Sequence, residues 1–140
     1  MIPRRRAFFP CLAVLLACAC SRPQKQEIPE PPEALSAVWK RDLLERPALE
    51  TAPEAVRQWK PAEWLRVRYR SGDSTIAVDA FRMPSEAVAF EARQKWRSAP
   101  GSMAFHWKNL LVVCSSNTAS APALAEFSAK LEAEWLATGR

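Results

Sequence analysis

Glycine and histidine are scarce in this chain, and their scarcity excludes several kinds of site. The 140 residues include three glycines and one histidine, His106. None of the glycines forms a loop that could cradle a phosphate group. A zinc site normally uses three or four protein ligands, more than His106 and Cys114 can supply. Because no nucleophile in a recognisable motif lies near His106, we predict that the protein is not an enzyme and uses no metal or cofactor.

Early acidic residues and a long apolar run are also missing. The first 26 residues contain no aspartate or glutamate, and three arginines at positions 4–6 precede an uncharged stretch, residues 7–20. That stretch has 14 residues and includes Pro10, whereas a helix that spans a bilayer needs roughly 20 apolar residues. A basic segment followed by a short apolar one is typical of a secretory signal. We therefore interpret residues 1–17 as a signal peptide.

The stretch "LLACAC", residues 15–20, resembles the lipobox of bacterial lipoprotein precursors. Two leucines, Ala17 and Cys18 match that pattern, and Cys20 is the alternative acceptor, with alanine where the pattern prefers leucine. The resemblance implies a diacylglyceryl group on the cysteine thiol, cleavage just before it and acylation of the new amine, for example by palmitate. A zinc pair is disfavoured because Cys-Ala-Cys is tighter than the usual ligand spacings. Several acyl chains hold a protein on a membrane stably.

The same resemblance implies a location. It places the protein in the bacterial cell envelope, attached to the membrane through the covalent lipid on its N-terminal cysteine. Ala19 or Ser21, rather than an aspartate, follows the acceptor. By resemblance to enteric-type lipoproteins, this implies the outer membrane, facing the periplasm, in a Gram-negative cell.

The basic composition does not support nucleic-acid binding. The chain has 20 basic and 15 acidic residues, a net charge of +5. Loss of the three signal-peptide arginines leaves 17 against 15, or +2, which gives little electrostatic attraction for a nucleic acid. The segment "RVRYR", residues 66–70, is better explained as a strand with a solvated arginine face. We therefore expect no nucleic-acid partner.

A proline-rich segment separates the lipid site from the rest of the chain. Residues 21–33 contain four prolines, five charges and one aliphatic residue, Ile28. Such a segment buries too little apolar surface to fold by itself. We interpret residues 18–33 as the lipid-attachment site and a disordered tether, and residues 34–140 as a single domain.

Two alternating segments predict β-hairpins. Gly72 and Asp73 form a plausible two-residue turn between the first pair of strands, and Lys108 and Asn109 a less ideal one between the second pair. The predicted cross-strand pairs are Leu65–Ala80, Val67–Val78 and Tyr69–Ile76 on one face, Arg66–Asp79 and Trp64–Phe81 on the other, and Met103–Cys114, Phe105–Val112 and Trp107–Leu110 in the second hairpin. In each set the apolar partners share one face, which supports the register.

Helical spacing predicts four helices around these hairpins. They cover residues 33–46, 53–61, 84–96 and 120–136. The element order is then ααββαββα, which predicts an α+β domain with a mainly antiparallel sheet of about four strands and helices on one face. This part of the chain also resembles small uncharacterised secreted bacterial domains, through "RMPS" followed by "AVAFE". That resemblance implies no activity.

Tryptophan is abundant, with six residues in the chain. Trp59 and Trp64 flank Pro61, and with Phe81 they are the candidate exposed patch for binding a peptide, a glycan or a partner protein. We therefore predict a non-catalytic binding or assembly module with an envelope protein or glycan as partner; the alternative is a lipid-anchored small-ligand carrier or an enzyme with an unrecognised site. Cys114 is predicted to face the core, either as a free thiol or paired with whichever tether cysteine is not acylated.

Overall fold

The computed structural model describes residues 27–138, with side chains described as far as Trp135. The lipobox and both of its cysteines lie outside the described residues. The elements are β1 Ala34–Leu35, β2 Trp39–Glu45, a 3-10 turn Leu49–Thr51, α1 Glu54–Arg57, β3 Glu63–Ser71, β4 Ser74–Arg82, α2 Glu86–Lys95, β5 Ser102–Trp107, β6 Leu110–Ser115 and α3 Ala121–Thr138. None of the described helices is long and apolar enough to cross a membrane.

The described strands form one antiparallel sheet in the order β1-β2-β3-β4-β6-β5. The sheet is curled into a half-barrel and carries three α-helices, so the fold is mainly β. The prediction of an α+β domain with about four strands in the order ααββαββα is therefore wrong. Helices also cover both faces of the sheet, because α3 packs in one apolar cluster and α2 in the other.

The first predicted helix, residues 33–46, is instead β1, a turn and β2. Its spacing misleads because a β-bulge lies between Arg41 and Leu43, where the register of β2 against β3 shifts. Trp39 and Leu44 both pack against the same core, although strict alternation would place them on opposite faces. Ser36 in the preceding turn has a φ of 56°, a left-handed conformation that does not continue an α-helix.

Both hairpins have the predicted registers. All five predicted pairs between β3 and β4 are confirmed, as are the three between β5 and β6. Gly72 has a φ of 57°, which glycine adopts without steric cost in a tight turn. The later helices are also confirmed, α1 in a shorter form than predicted. Ser85 caps α2 by accepting a hydrogen bond from the backbone N–H of Val88 at 3.2 Å.

Two apolar clusters lie on the two faces of the sheet. The inner cluster contains the inward residues of the strands and one stripe of α3: Leu65, Val67, Tyr69, Ile76, Val78, Ala80, Leu110, Val112, Cys114, Leu124, Phe127, Leu131 and Trp135. The outer cluster lies between the other face and the helices α1 and α2: Val56, Trp64, Phe81, Met83, Ala89, Ala92, Ala104, Leu111 and Val113. The sheet therefore lies between the two apolar clusters, and β6 is buried on both faces.

Residues 27–33, here called the strap, pack on the sheet although they lie within the predicted tether. Ile28 belongs to the inner cluster and is 1% exposed. Its backbone N–H donates to Oε2 of Glu63 at 3.0 Å, and its carbonyl accepts from Nη2 of Arg46 at 3.2 Å. Further along, the Tyr69 hydroxyl and Nη1 of Arg41 donate to strap carbonyls. The folded unit therefore begins before residue 34.

Candidate functional site

The three residues of the predicted aromatic patch have different positions. Trp64 and Phe81 stack with ring centroids 5.5 Å apart. They are 5% and 2% exposed, so they form part of the outer cluster rather than an open surface. Trp59 is half-buried and packs against the edge of the same cluster. Of the three, Trp59 alone reaches the surface.

Trp59 lines a groove with a second tryptophan, Trp96, at the C-terminal end of α2. The groove has a volume of about 200 Å³ and is lined by Ala55, Gln58, Trp59, Ala92, Lys95, Trp96 and Arg97. Two features of the backbone position the aromatic walls. Helix α1 ends before Trp59, and the chain leaves the helical conformation at Trp96, where φ is −64° and ψ is 123°. We call this the tryptophan groove.

The tryptophan groove has a positively charged rim. Nζ of Lys95 lies 5.3 Å from the centroid of the Trp59 ring, a distance at which a cation is attracted to the aromatic face. The same Nζ donates to Oε1 of Glu91 at 2.7 Å, so one carboxylate already compensates one cation. Arg97 is exposed beside them. The rim can therefore attract a carboxylate, while the indoles offer apolar contact to a neighbouring group.

Trp96 also has a buried polar atom, its indole Nε1, without a hydrogen-bond partner among the described residues. An unpaired buried donor costs about 1–3 kcal/mol. A phenylalanine at this position would avoid that cost, so packing alone does not account for tryptophan here.

Below the groove, a polar cluster is built into the outer face of β3 and β4. Oδ1 of Asp79 accepts from Nε1 of Trp64 and from Nε of Arg66, both at 2.8 Å. Nη2 of Arg66 reaches Oδ2 at 3.2 Å, and the guanidinium lies 5.1 Å from the Trp64 ring. The hydrogen bond to Asp79 raises the pKa of Arg66. The carboxylate of Asp79 thus bridges Trp64 and Arg66 and holds the Trp64 indole in place.

A second carboxylate lies on the exposed part of the same face. Asp42 accepts hydrogen bonds from Nε of Arg68 at 2.8 Å and from Nε of Arg70 at 2.9 Å. These two hydrogen bonds lower the pKa of Asp42 below its ordinary value of 3.8. The arginines of the segment "RVRYR" are therefore paired within the protein, and one positive charge remains in excess at Asp42.

The remaining candidate residues show no chemistry of their own. Cys114 is fully buried and free, and burial raises the pKa of its thiol to about 12. Its predicted core position is confirmed, whereas the cysteines that could pair with it lie outside the described residues. His106 lies 5.3 Å from the Phe90 ring, edge to face. No group of three or more His, Cys, Asp or Glu side chains within residues 27–138 could hold a metal ion.

A second cavity lies where the strap meets the turn between β5 and β6. It has a volume of about 220 Å³ and is lined by Glu27, Ile28, Pro29, Arg82, Trp107, Lys108, Asn109 and Leu110. Sites for drug-sized ligands are usually about 300–1,000 Å³. This cavity is therefore small for a carrier site.

The comparisons with known proteins assign no role to these residues. No protein-family model matches the chain, and no curated protein or solved structure gives a match.

Sequence reasoning identified Trp59 but not its partner in the groove. Trp96 was expected in the apolar stripe of α2 with Val88 and Ala92, and it does pack against the outer cluster. Its role as a groove wall depends on how α1 and α2 lie side by side on the sheet. A signal was nevertheless present, because Trp59 and Trp96 each follow the end of a helix, where a side chain can be both packed and partly exposed.

Proposed function

We propose that this protein is a lipid-anchored, non-catalytic binding or assembly module of the bacterial cell envelope. The anchor is the acylated Cys18, with Cys20 as the alternative acceptor. The module binds an envelope partner in the tryptophan groove. The observation that carries the binding part is the pairing of two half-buried indoles with the cations Lys95 and Arg97 around one groove.

The groove favours a partner that presents a carboxylate beside an apolar group. Lys95 and Arg97 supply the charge, and the indole faces supply contact area without a large entropy cost on binding. Either an envelope protein or an acidic glycan carries such groups. A catalytic role has no comparable support, because the acid–base pair at the groove, Glu91 and Lys95, is exposed and its two groups are bound to each other.

The binding part is tested in the full-length protein in the cell. A photo-crosslinking amino acid at Gln58, on the groove, is expected to give discrete protein adducts that disappear in a Trp59→Ala variant. The same amino acid at Glu126, an exposed position on α3, is the control. Adducts that are identical at both sites, or that persist without Trp59, would contradict a protein partner in the groove.

A glycan partner gives a different result. In that case the Gln58 crosslinker yields no discrete protein adduct, and acidic oligosaccharide fragments of the cell wall shift the tryptophan fluorescence of the purified protein. The shift should be lost in Trp59→Ala and kept in Glu126→Ala. If neither experiment depends on Trp59, the groove is not the binding site.

The anchor is tested separately by the intact mass of the mature protein. Acylation at Cys18 predicts loss of residues 1–17 and a mass increase that corresponds to the diacylglyceryl and acyl groups. Cys18→Ser should remove this increase or move it to Cys20, and the double serine variant should lose both the lipid and membrane association. Unchanged membrane fractionation of the double variant refutes the anchor.

A further inference from the structure

The strap determines which end of the domain lies nearest the proposed anchor. We propose that this end, formed by the start of the strap and the β5–β6 turn at residues 107–109, docks on the anionic lipid headgroups of the membrane that holds the protein. This inference rests on the lipid anchor proposed above. It adds a second, noncovalent membrane contact and gives the domain a fixed orientation.

The first argument is the length of chain that remains between the lipid and the fold. Ten residues separate Cys18 from Ile28, and a fully extended chain spans at most about 3.6 Å per residue, so this connection reaches at most about 36 Å. With Cys20 as acceptor, eight residues reach at most about 29 Å. A connection that was free as far as residue 33 would reach about 54 Å by the same measure. Because Ile28 is held in the core, the end where the chain enters the fold stays close to the bilayer.

The second argument is that the β5–β6 turn lies at this same end. Residues 27–29 and residues 107–109 line one cavity of about 220 Å³. A bilayer that lies within reach of Ile28 therefore lies within reach of the turn as well.

The third argument is the chemistry of the turn. Lys108 is exposed, and its Nζ lies 4.7 Å from the centroid of the half-buried Trp107 ring. Tryptophan is favoured at the membrane–water interface, and lysine is attracted to anionic headgroups. Lys108 also has a φ of 50°, a conformation in which glycine or asparagine is favoured over lysine. Lysine is therefore not the residue that this turn would select for stability alone.

The fourth argument is the charge balance at this end. The charged side chains that line the cavity, form ion pairs with its lining or lie beside Trp107 are Arg46, Arg82, Lys108, Glu27, Glu63 and Glu132. Glu63 contacts both arginines, and Glu27 lies 4.0 Å from Nη2 of Arg46. These six charges sum to zero, but Lys108 forms no ion pair with any described residue. Residues 21–26 add two basic residues and no acid. The end that faces the lipid is thus positively charged, as an anionic surface requires.

The test uses the full-length lipidated protein in vesicles of phosphatidylcholine, with and without phosphatidylglycerol. A nitroxide on some headgroups quenches any tryptophan that reaches that depth. We expect stronger quenching in the anionic vesicles, and Trp107→Phe should remove most of the difference. Each basic residue near an anionic surface raises the ratio of docked to undocked protein about fivefold. Lys108→Asn should therefore lower the ratio of docked to undocked protein about fivefold, and Lys108→Glu about 30-fold.

Two controls keep the result interpretable. Lys40→Glu makes the same charge change at an exposed position paired with Arg70, near the opposite end of the sheet, and should leave quenching unchanged. Lys108→Asn suits the left-handed turn, so it should be at least as stable as the parent, and its loss of docking cannot come from unfolding.

The outcomes separate this inference from the anchor. Protein that floats with both kinds of vesicle but shows equal quenching in both, or equal effects of Lys40→Glu and Lys108→Glu, overturns the docking and leaves the anchor intact. Protein that does not float with any vesicle overturns the anchor and the docking together.

Discussion

Asp79 gives the most direct test of how the outer face of the sheet is held together. Replacement by alanine removes the acceptor of the Trp64 indole N–H, which is buried. Leaving such a donor unpaired costs about 1–3 kcal/mol. Arg66 also loses its partner, but its side chain is 39% exposed and can be hydrated, so that loss adds at most about 1 kcal/mol. We expect Asp79→Ala to lower the free energy of unfolding by about 1–4 kcal/mol.

Two variants locate the source of that loss. Asp79→Asn keeps an oxygen for the Trp64 indole but loses the charge and replaces Oδ2, the acceptor of Arg66 Nη2, by an amide donor, so we expect a cost of about 1–2 kcal/mol. Asp42→Ala is the matched control, because Asp42 also bridges two arginine donors on this face but is more exposed. Its removal should cost less than about 1 kcal/mol.

The assay is urea unfolding of the full-length protein followed by tryptophan fluorescence, with the slope m compared between variants. In a double-mutant cycle, Trp64→Phe removes the indole N–H, and the cost of Asp79→Ala should then fall by about 1–2 kcal/mol. The reasoning is refuted if Asp79→Ala costs no more than Asp42→Ala, or if the cycle shows no coupling between Trp64 and Asp79.

Four further results are expected. Ile28→Ala should lower the free energy of unfolding by about 2–5 kcal/mol, as for a buried aliphatic residue, whereas a residue in a free tether would change it by less than about 0.5 kcal/mol; urea unfolding distinguishes the two. The arginine partners of Asp42 lower its pKa, so the stabilisation from the ionised carboxylate is complete above the ordinary pKa of 3.8 and is lost as the pH falls through the lowered pKa. Asp42→Asn should therefore flatten the loss of stability in acid. An unchanged acid profile would contradict this. With a pKa of about 12, only about one Cys114 thiol in 10⁴ is ionised at pH 8, so peptide-level mass spectrometry should find it alkylated no faster than the protein unfolds. Finally, Trp96→Phe should change stability by less than about 1 kcal/mol, because lost ring contacts are offset by removal of the unpaired N–H, while crosslinking from the groove falls; a loss of several kcal/mol would show that Trp96 is purely a core residue.

The hairpins were predictable because each register depends on local information. Alternation fixes which side chains share a face, and a two-residue turn such as Gly72-Asp73 fixes which residues lie opposite each other. α3 was predictable for a similar reason, since Leu124, Phe127, Leu131 and Trp135 repeat with helical spacing and all four are buried. These features need only neighbours in sequence or across one turn.

The errors arise where long-range contacts decide the conformation. The bulge in β2 shifts its inward residues so that their spacing imitates a helix, and pairing with β3 is what selects the strand. Ile28 is a single aliphatic residue among prolines and charged residues. The local sequence therefore does not predict that Ile28 packs in the inner cluster. The same limit applies to the tryptophan groove, because Trp59 and Trp96 come together when α1 and α2 pack on one face of the sheet.

The strap gives the domain a mechanical property. A pull on the chain at residue 27 acts first on Ile28 and on its bonds to Glu63 and Arg46, and only afterwards on the contacts made by Arg41 and Tyr69. We expect these contacts to break in that order, before β1 separates from β2. Release of residues 28–33 lengthens the free chain by about 20 Å, at roughly 3.3–3.6 Å per residue. We therefore expect the strap to extend under tension before the sheet unfolds.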